Sequence, residues 1–332
     1  MHPIENKKDM HLNVCWGSDL TPGVLMKVND VLPNHHWILL HRWYSSLKAV
    51  IKWNGNYSSS FTITRGTRQG SLLSPYLFNV FIDSLLRQLQ QTNYGLRLGD
   101  SCYQSIAYAD DITVFSPTAT GLQSLIDICH RYACQWRFSF GLKKTKCMTA
   151  GKHILDSQTT WLLGDRPIDN VDNLEVLGVV LDNVGSCLPH TNKRIQKSRQ
   201  SYFGLVPLGL NYPGLQSNVK AYIWNLVCRP TLLYGLESIH LDPASIRQLE
   251  SLQGSLVKRM NGISKRSHHN NLLLALGIPR VVEGVTDRVL SLYYQIFNVD
   301  SPMRNLCTYM LGQYTLSGQY VKNTLCNLYY DK

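Results

Sequence analysis

An α+β fold is what this sequence predicts, with a mixed first half and a helical second half. Up to about residue 182, short β-rich runs alternate with amphipathic helical periods; from about Asn183 the apolar spacing is predominantly helical. The composition is that of a folded chain. With 44% hydrophobic and 17% charged residues over 332 positions, it is too apolar and too sparsely charged for a disordered tail.

The elements follow in order. Residues 1–24 show no clear period and take no assignment. Leu25 to about Leu47 suits a helix that breaks near Pro33 and resumes through Trp37, Leu40, Trp43 and Tyr44. The runs Ala49–Trp53 and Ser60–Thr64 flank Asn54-Gly55-Asn56, which predicts a hairpin. Arg65-Gly66-Thr67-Arg68-Gln69-Gly70 is a basic, glycine-punctuated loop. It leads into a helix with Leu73, Leu77, Val80, Phe81 and Leu85 on its apolar face, which Ser74-Pro75 suits as a start. Ser105 to Ser116 reads as two β-segments meeting at Asp110-Asp111. Gly121 to Trp136 is an amphipathic helix carrying Leu122, Leu125, Ile126 and Cys129 on one side. Extended structure returns near Lys143–Lys146, and Leu174 to Leu181 is another β-rich run. Basic residues cluster at Lys193, Arg194, Lys197 and Arg199, and again at Lys258, Arg259, Lys265 and Arg266.

Charge narrows the partners. A formal net charge of +11 and an isoelectric point near 9.2 favour polyanions, because each phosphate met by Lys or Arg releases condensed counterions. A merely basic protein has the same numbers, so charge alone decides little. Nine cysteines lie scattered without a Cys-x-x-Cys pair, which argues for free thiols in a reducing compartment over a zinc site. The polar start (Glu5, Lys7, Lys8, Asp9) shows no secretory signal, and Leu72–Leu86 is too short and contains Asp83, so no membrane span is expected. The expected setting is intracellular, nucleus or cytoplasm.

Ile106-Ala107-Tyr108-Ala109-Asp110-Asp111-Ile112-Thr113-Val114-Phe115 places two adjacent carboxylates between strand-forming runs. Asp tolerates turn geometry, so a plain hairpin explains this run taken alone. In a half-buried sheet, however, paired carboxylates repel and lose hydration unless a cation neutralises them. Arg65-Gly66-x-Arg68-Gln69-Gly70-x-x-x-Ser74-Pro75-x-Leu77-Phe78 precedes them by one helix and a loop. The order and spacing of these blocks resemble the palm of reverse transcriptases, and their wording resembles non-LTR retrotransposons of the LINE type.

That resemblance implies a right-hand polymerase palm, an antiparallel sheet with helices on one face, over residues 25–182. A mostly α-helical thumb and following region at 183–300 and a tail at 301–332 complete the expectation, with fingers largely absent. It implies an RNA-directed DNA polymerase that takes an RNA template, a DNA primer and deoxynucleoside triphosphates. Asp110 and Asp111 would hold Mg2+ (or Mn2+). Arg65, Arg68, Gln69, Gly70, Ser74, Pro75 and Tyr108 would lie along template and nucleotide. Glycines at 66 and 70 would let backbone approach the nucleic acid closely; either arginine is equally read as a solvated loop charge.

Gly141-Leu142-Lys143-Lys144-Thr145-Lys146 resembles the lysine-bearing segment, with Lys144 assisting pyrophosphate departure or standing as an ordinary surface lysine. An Asn-Pro ahead of those lysines is replaced here by Gly141-Leu142. Leu177-Gly178 resembles the primer grip, where a plain bulge is the alternative. The basic run after His190 resembles a thumb helix.

One block is missing. The family's Asp-x-x-x-Ala-Phe-Asp, whose first Asp bridges both metals, has no match; Asp9, Asp19 and Asp30 lack its context. The expectation is an amino-terminally truncated, catalytically dead chain whose hairpin lacks its neighbouring strand, with Asp9 the one fallback for a third carboxylate. Three readings compete: a segment of an RNA-directed DNA polymerase, a non-catalytic nucleic-acid-binding remnant of one, or a viral RNA-dependent RNA polymerase. The last usually carries Gly-Asp-Asp, and the Gln-Gly-x-x-x-Ser-Pro block argues against it.

Overall fold

A computed structural model describes residues 7–15, 20–62, 71–99, 101–151 and 159–312. The chain divides into two compact units, Met1–Leu174 and Glu175–Lys332, each with its own hydrophobic core.

The first unit is built on a seven-stranded sheet. Its strands are β1 (Lys7–Cys15), β2 (Ser105–Tyr108), β3 (Asp111–Ser116), β4 (Ser139–Phe140), β5 (Lys146–Ala150), β6 (Trp161–Leu163) and β7 (Arg166–Asn170). The order is β6-β7-β5-β1-β3-β2, with β4 extending the pairing of β1. All pairs are antiparallel except β5 with β7. Helices α1 (Leu20–Asn29), α2 (Asn34–Ser45), α3 (Ser74–Gln90) and α4 (Ala119–Gln135) complete the unit.

The helical reading holds in detail. Pro33 separates α1 from α2, since it fixes φ and has no N–H to continue the first helix. The Trp37 indole donates to the Leu25 carbonyl across that break, at 2.8 Å. Helix α3 begins at Ser74 with Pro75 in its first turn. Thr118 caps α4, its hydroxyl accepting from the Gly121 N–H at 3.1 Å. Leu122, Leu125, Ile126 and Cys129 of α4 are fully buried with Ile112 and Val114 of β3. Phe81, Tyr132, Trp136 and Phe138 form an aromatic cluster beside them, in which the Tyr132 hydroxyl donates to the Phe81 carbonyl at 2.6 Å. Between 48 and 62 the expected hairpin forms as two short ladders, with Asn54 and Gly55 both at positive φ in the turn.

The amino-terminal segment departs from expectation. Residues 7–15 form β1, which lies between β3 and β5 in the middle of the sheet, so the hairpin has the neighbouring strand it was expected to lack. A signal for this strand was present and went unread: Met10, Leu12 and Val14 alternate with Asp9, His11 and Asn13 at the two-residue period of a strand, over a run of only six residues.

The second unit opens with a hairpin, β8 (Asn173–Val176) and β9 (Val179–Asp182), whose first residues belong to the preceding unit. Helices follow: α5 (Leu188–Leu205), α6 (Ser217–Ile223), α7 (Arg229–Leu233), α8 (Pro243–Met260), α9 (Asn270–Ala275), α10 (Val281–Asn298) and α11 (Pro302–Gly312). A π-turn, Trp224–Cys228, joins α6 to α7. Pro230 follows it, and its missing N–H is a sufficient reason for the widened turn. The core of this unit gathers Tyr202, Trp224, Leu232, Leu233, Leu249 and Val257, all fully buried.

Candidate active site

Strands β2 and β3 meet in a two-residue turn, Ala109-Asp110, closed by the pair Tyr108 and Asp111. Ala109 sits at φ 51°, left-handed backbone that a residue with a Cβ adopts at a cost of about 1–2 kcal/mol. Asp110 and Asp111 are half-buried, and Tyr108 is exposed. On its other side β3 pairs with β1, and the residue in register with Asp111 is Asn13. Asp9 stands opposite Phe115 and Met148, four positions back along β1. At the rise of a strand that is about 13 Å from the Asn13 position, so Asp9 cannot join the two carboxylates.

Lys144 lies in the turn that precedes β5. Its N–H and that of Thr145 both donate to the Gly141 carbonyl, and the Thr145 hydroxyl does the same. That bonding lets Gly141-Leu142 form the turn without Asn-Pro. Lys143 and Lys144 are exposed, whereas Lys146 pairs with Asp169. His11 of β1 is in register with Lys146, so the Lys144 turn lies at the end of β1 that carries Asn13. Ser74 and Pro75 open α3, as the capping reading expects. Arg65, Gly66, Arg68, Gln69 and Gly70 lie outside the described residues.

Two metal ions held a few ångströms apart require several carboxylate oxygens. The hairpin offers two carboxylates, and among the described residues no three His, Cys, Asp or Glu side chains gather into a possible metal site. This donor set does not fit a two-ion centre.

A separate feature lies in the second unit. Leu177 (φ 49°) and Gly178 (φ 79°) form the two-residue turn between β8 and β9, a hairpin turn and not a bulge. The Tyr234 hydroxyl donates to the Leu177 carbonyl at 2.8 Å, and a Cβ on Gly178 would press on the Tyr234 ring at 3.1 Å. Glu175, Lys193, Arg194, Lys197 and Tyr234 line an open groove around this turn. Lys193 pairs with Glu175, and the Arg194 guanidinium lies 5.3 Å from the centre of the Tyr234 ring. Arg194 is 7% exposed, and its Nε has no hydrogen-bond partner among the described residues. Burial lowers its pKa, with Glu175 opposing.

The basic run is therefore not one stripe. Lys193, Arg194 and Lys197 face the groove at the turn. Arg199 lines a second groove with Arg247, between α5 and α8.

His190 holds the hairpin to the helices. Its Nδ1 accepts from the Val180 N–H at 3.1 Å and its Nε2 donates to the Tyr234 carbonyl at 3.0 Å. These partners fix the neutral tautomer; burial lowers the pKa, and the hydrogen bond to the Tyr234 carbonyl opposes that shift. Sequence reasoning did not single out Asn13, His190 or Tyr234. For Asn13 a signal was present: Asn13 and Asp19 keep the separation of the two Asp in Asp-x-x-x-Ala-Phe-Asp.

A sheet with a two-carboxylate hairpin beside its central strand, packed under α3 and α4, defines the palm of a template-directed polymerase. Residues 26–181 match the family described as reverse transcriptase (RNA-dependent DNA polymerase). More particularly, its relatives are non-LTR retrotransposon proteins.

The chain is 22% identical over 275 residues to the RNA-directed DNA polymerase from mobile element jockey of Drosophila funebris, covering 80% of this chain and 29% of that one. It is 38% identical over 100 residues to the Pol polyprotein from retrotransposable element R2DM of Drosophila melanogaster, covering 30% and 9%. A Popillia japonica R2 polyprotein is 23% identical over 209 residues, covering 60% and 32%. The chain thus spans a third or less of the length of these relatives. A telomerase from Candida albicans aligns with a TM-score of 0.39 and 9% identity, over 85% of this chain and 46% of that one, too loose a likeness to carry an argument. No described helix is long and apolar enough to cross a membrane.

Proposed function

We propose that this chain is the palm-and-thumb portion of an RNA-directed DNA polymerase, and that by itself it grips primer–template without extending it. The substrate class is an RNA template with a DNA primer and deoxynucleoside triphosphates, in an intracellular setting. The observation that carries the reading is the Asp110-Asp111 turn, set in register beside the sheet's central strand and following the Gln69–Phe78 block. In that reading Asp110 and Asp111 are the metal-side carboxylates, and Tyr108, Ser74 and Pro75 lie along template and nucleotide with the 65–70 loop. Lys144 faces the triphosphate. Leu177-Gly178 is the primer grip, with Lys193 and Lys197 meeting backbone phosphates. The second half of the proposal rests on the donor set: two carboxylates leave two-ion phosphoryl transfer short of ligands.

The test is primer extension on an RNA template with Mg2+, run beside primer–template binding by fluorescence anisotropy at low and high salt. The expected outcome is salt-sensitive binding with no extension, by the native chain and by Asp110→Ala alike. Extension that is lost in Asp110→Ala would show the chain to be an active polymerase. Absence of binding at low salt would remove the nucleic-acid reading altogether.

A further inference from the structure

The missing carboxylate has an address. Strand β1 runs between β3 and β5, and its last residue paired with β3 is Asn13, directly in register with Asp111. Residues opposite each other in an antiparallel pair share a face, with Cβ atoms about 4.5–5.5 Å apart. That spacing suits two oxygen ligands on one divalent cation. Asn has the shape of Asp with one carboxylate oxygen exchanged for an amide nitrogen, so it offers one neutral carbonyl oxygen and no charge. Asp9, the one acidic residue of β1, is four positions away and outside reach.

We propose that Asn13 occupies the position where this site requires its third carboxylate, so that the metal deficit of the chain is a deficit of one residue. The strand, its register and the two-carboxylate turn are all in place; the ligand is not. This rests on reading the 108–111 hairpin as the metal-bearing end of the palm. It differs from the truncation the sequence predicts, because it puts the defect inside the described chain.

The experiment is Mn2+ binding followed by the loss of free-ion EPR signal, using the full chain. The expected result is that Asn13→Asp binds Mn2+ about tenfold or more tightly than the native chain, since affinity rises with ligand charge. The double variant Asn13→Asp/Asp111→Asn should return to the native level. His11→Asp, two positions along β1 and opposite Thr113, should gain nothing. Equal binding by the native chain and Asn13→Asp overturns the proposal, as does a gain that survives Asp111→Asn. Circular dichroism with and without saturating Mn2+ monitors folding, and an Asn13→Asp chain that Mn2+ does not restore to its fold counts equally against it. The same variant in primer extension separates the two ideas. Binding gained without extension supports the ligand address and counts against the polymerase reading; both gained supports both.

Discussion

Two residues hold backbone geometry that their neighbours require. Ala109 takes left-handed φ in a two-residue turn, where glycine is free of the Cβ penalty. Ala109→Gly should leave stability unchanged or raise it by about 1 kcal/mol, whereas Ala109→Val should lower it by a similar amount or more, read by urea denaturation. His190 is a pH-sensitive link. Its folded-state pKa is depressed by burial, so its contribution is fully present above the unfolded value near 6.5. That contribution is lost as pH falls below it towards the native value. The native chain should therefore melt at lower temperature as the pH drops below about 6.5, the ordinary value for histidine. His190→Gln should start lower at neutral pH and show a flatter profile. A native profile as flat as the variant's would show that His190 is protonated without loss. The tautomer is fixed by partners 10 and 44 residues away in the chain. For that reason His190 looked like one polar residue in a basic run.

Among the elements, α4 was the easiest to read and β1 the hardest. The apolar face of α4 repeats at helical spacing, and Leu122, Leu125, Ile126 and Cys129 are all fully buried. Leu122→Ala should cost about 2–5 kcal/mol, with a matching fall in the midpoint of denaturant unfolding. The Cys129 thiol, pushed up to about 12 by burial, should react with alkylating reagents only on unfolding, unlike the exposed Cys134. Helix α5 shows where pattern misleads. Its basic residues look like one charged face, yet Arg194 is buried against Tyr234, Lys193 is engaged by Glu175, and Arg199 belongs to another groove. If the groove meets phosphates, Lys197→Ala should weaken primer–template binding and reduce the slope of log K against log salt by about one. An unchanged slope would place the phosphates elsewhere.

At the scale of the whole molecule, the sequence by itself determined the class of fold, most of the helices and the two-carboxylate turn. Those features are local: a helix face repeats within a few residues, and a hairpin turn declares itself in four. The net charge of +11, likewise a property of sequence alone, predicts a polyanionic partner whose binding weakens steeply with salt. The tertiary structure decided what depends on residues far apart. It put residues 7–15 in the middle of the sheet between strands more than ninety positions away, and so turned an unassigned leader into the strand that carries Asn13. It sorted one run of basic side chains into buried, paired and exposed members. Strand pairing and burial are set by long-range hydrogen bonds and packing, which no window of sequence contains. The residue types that can bind a metal are therefore written along the chain, but which of them stand opposite one another is settled only when the sheet closes.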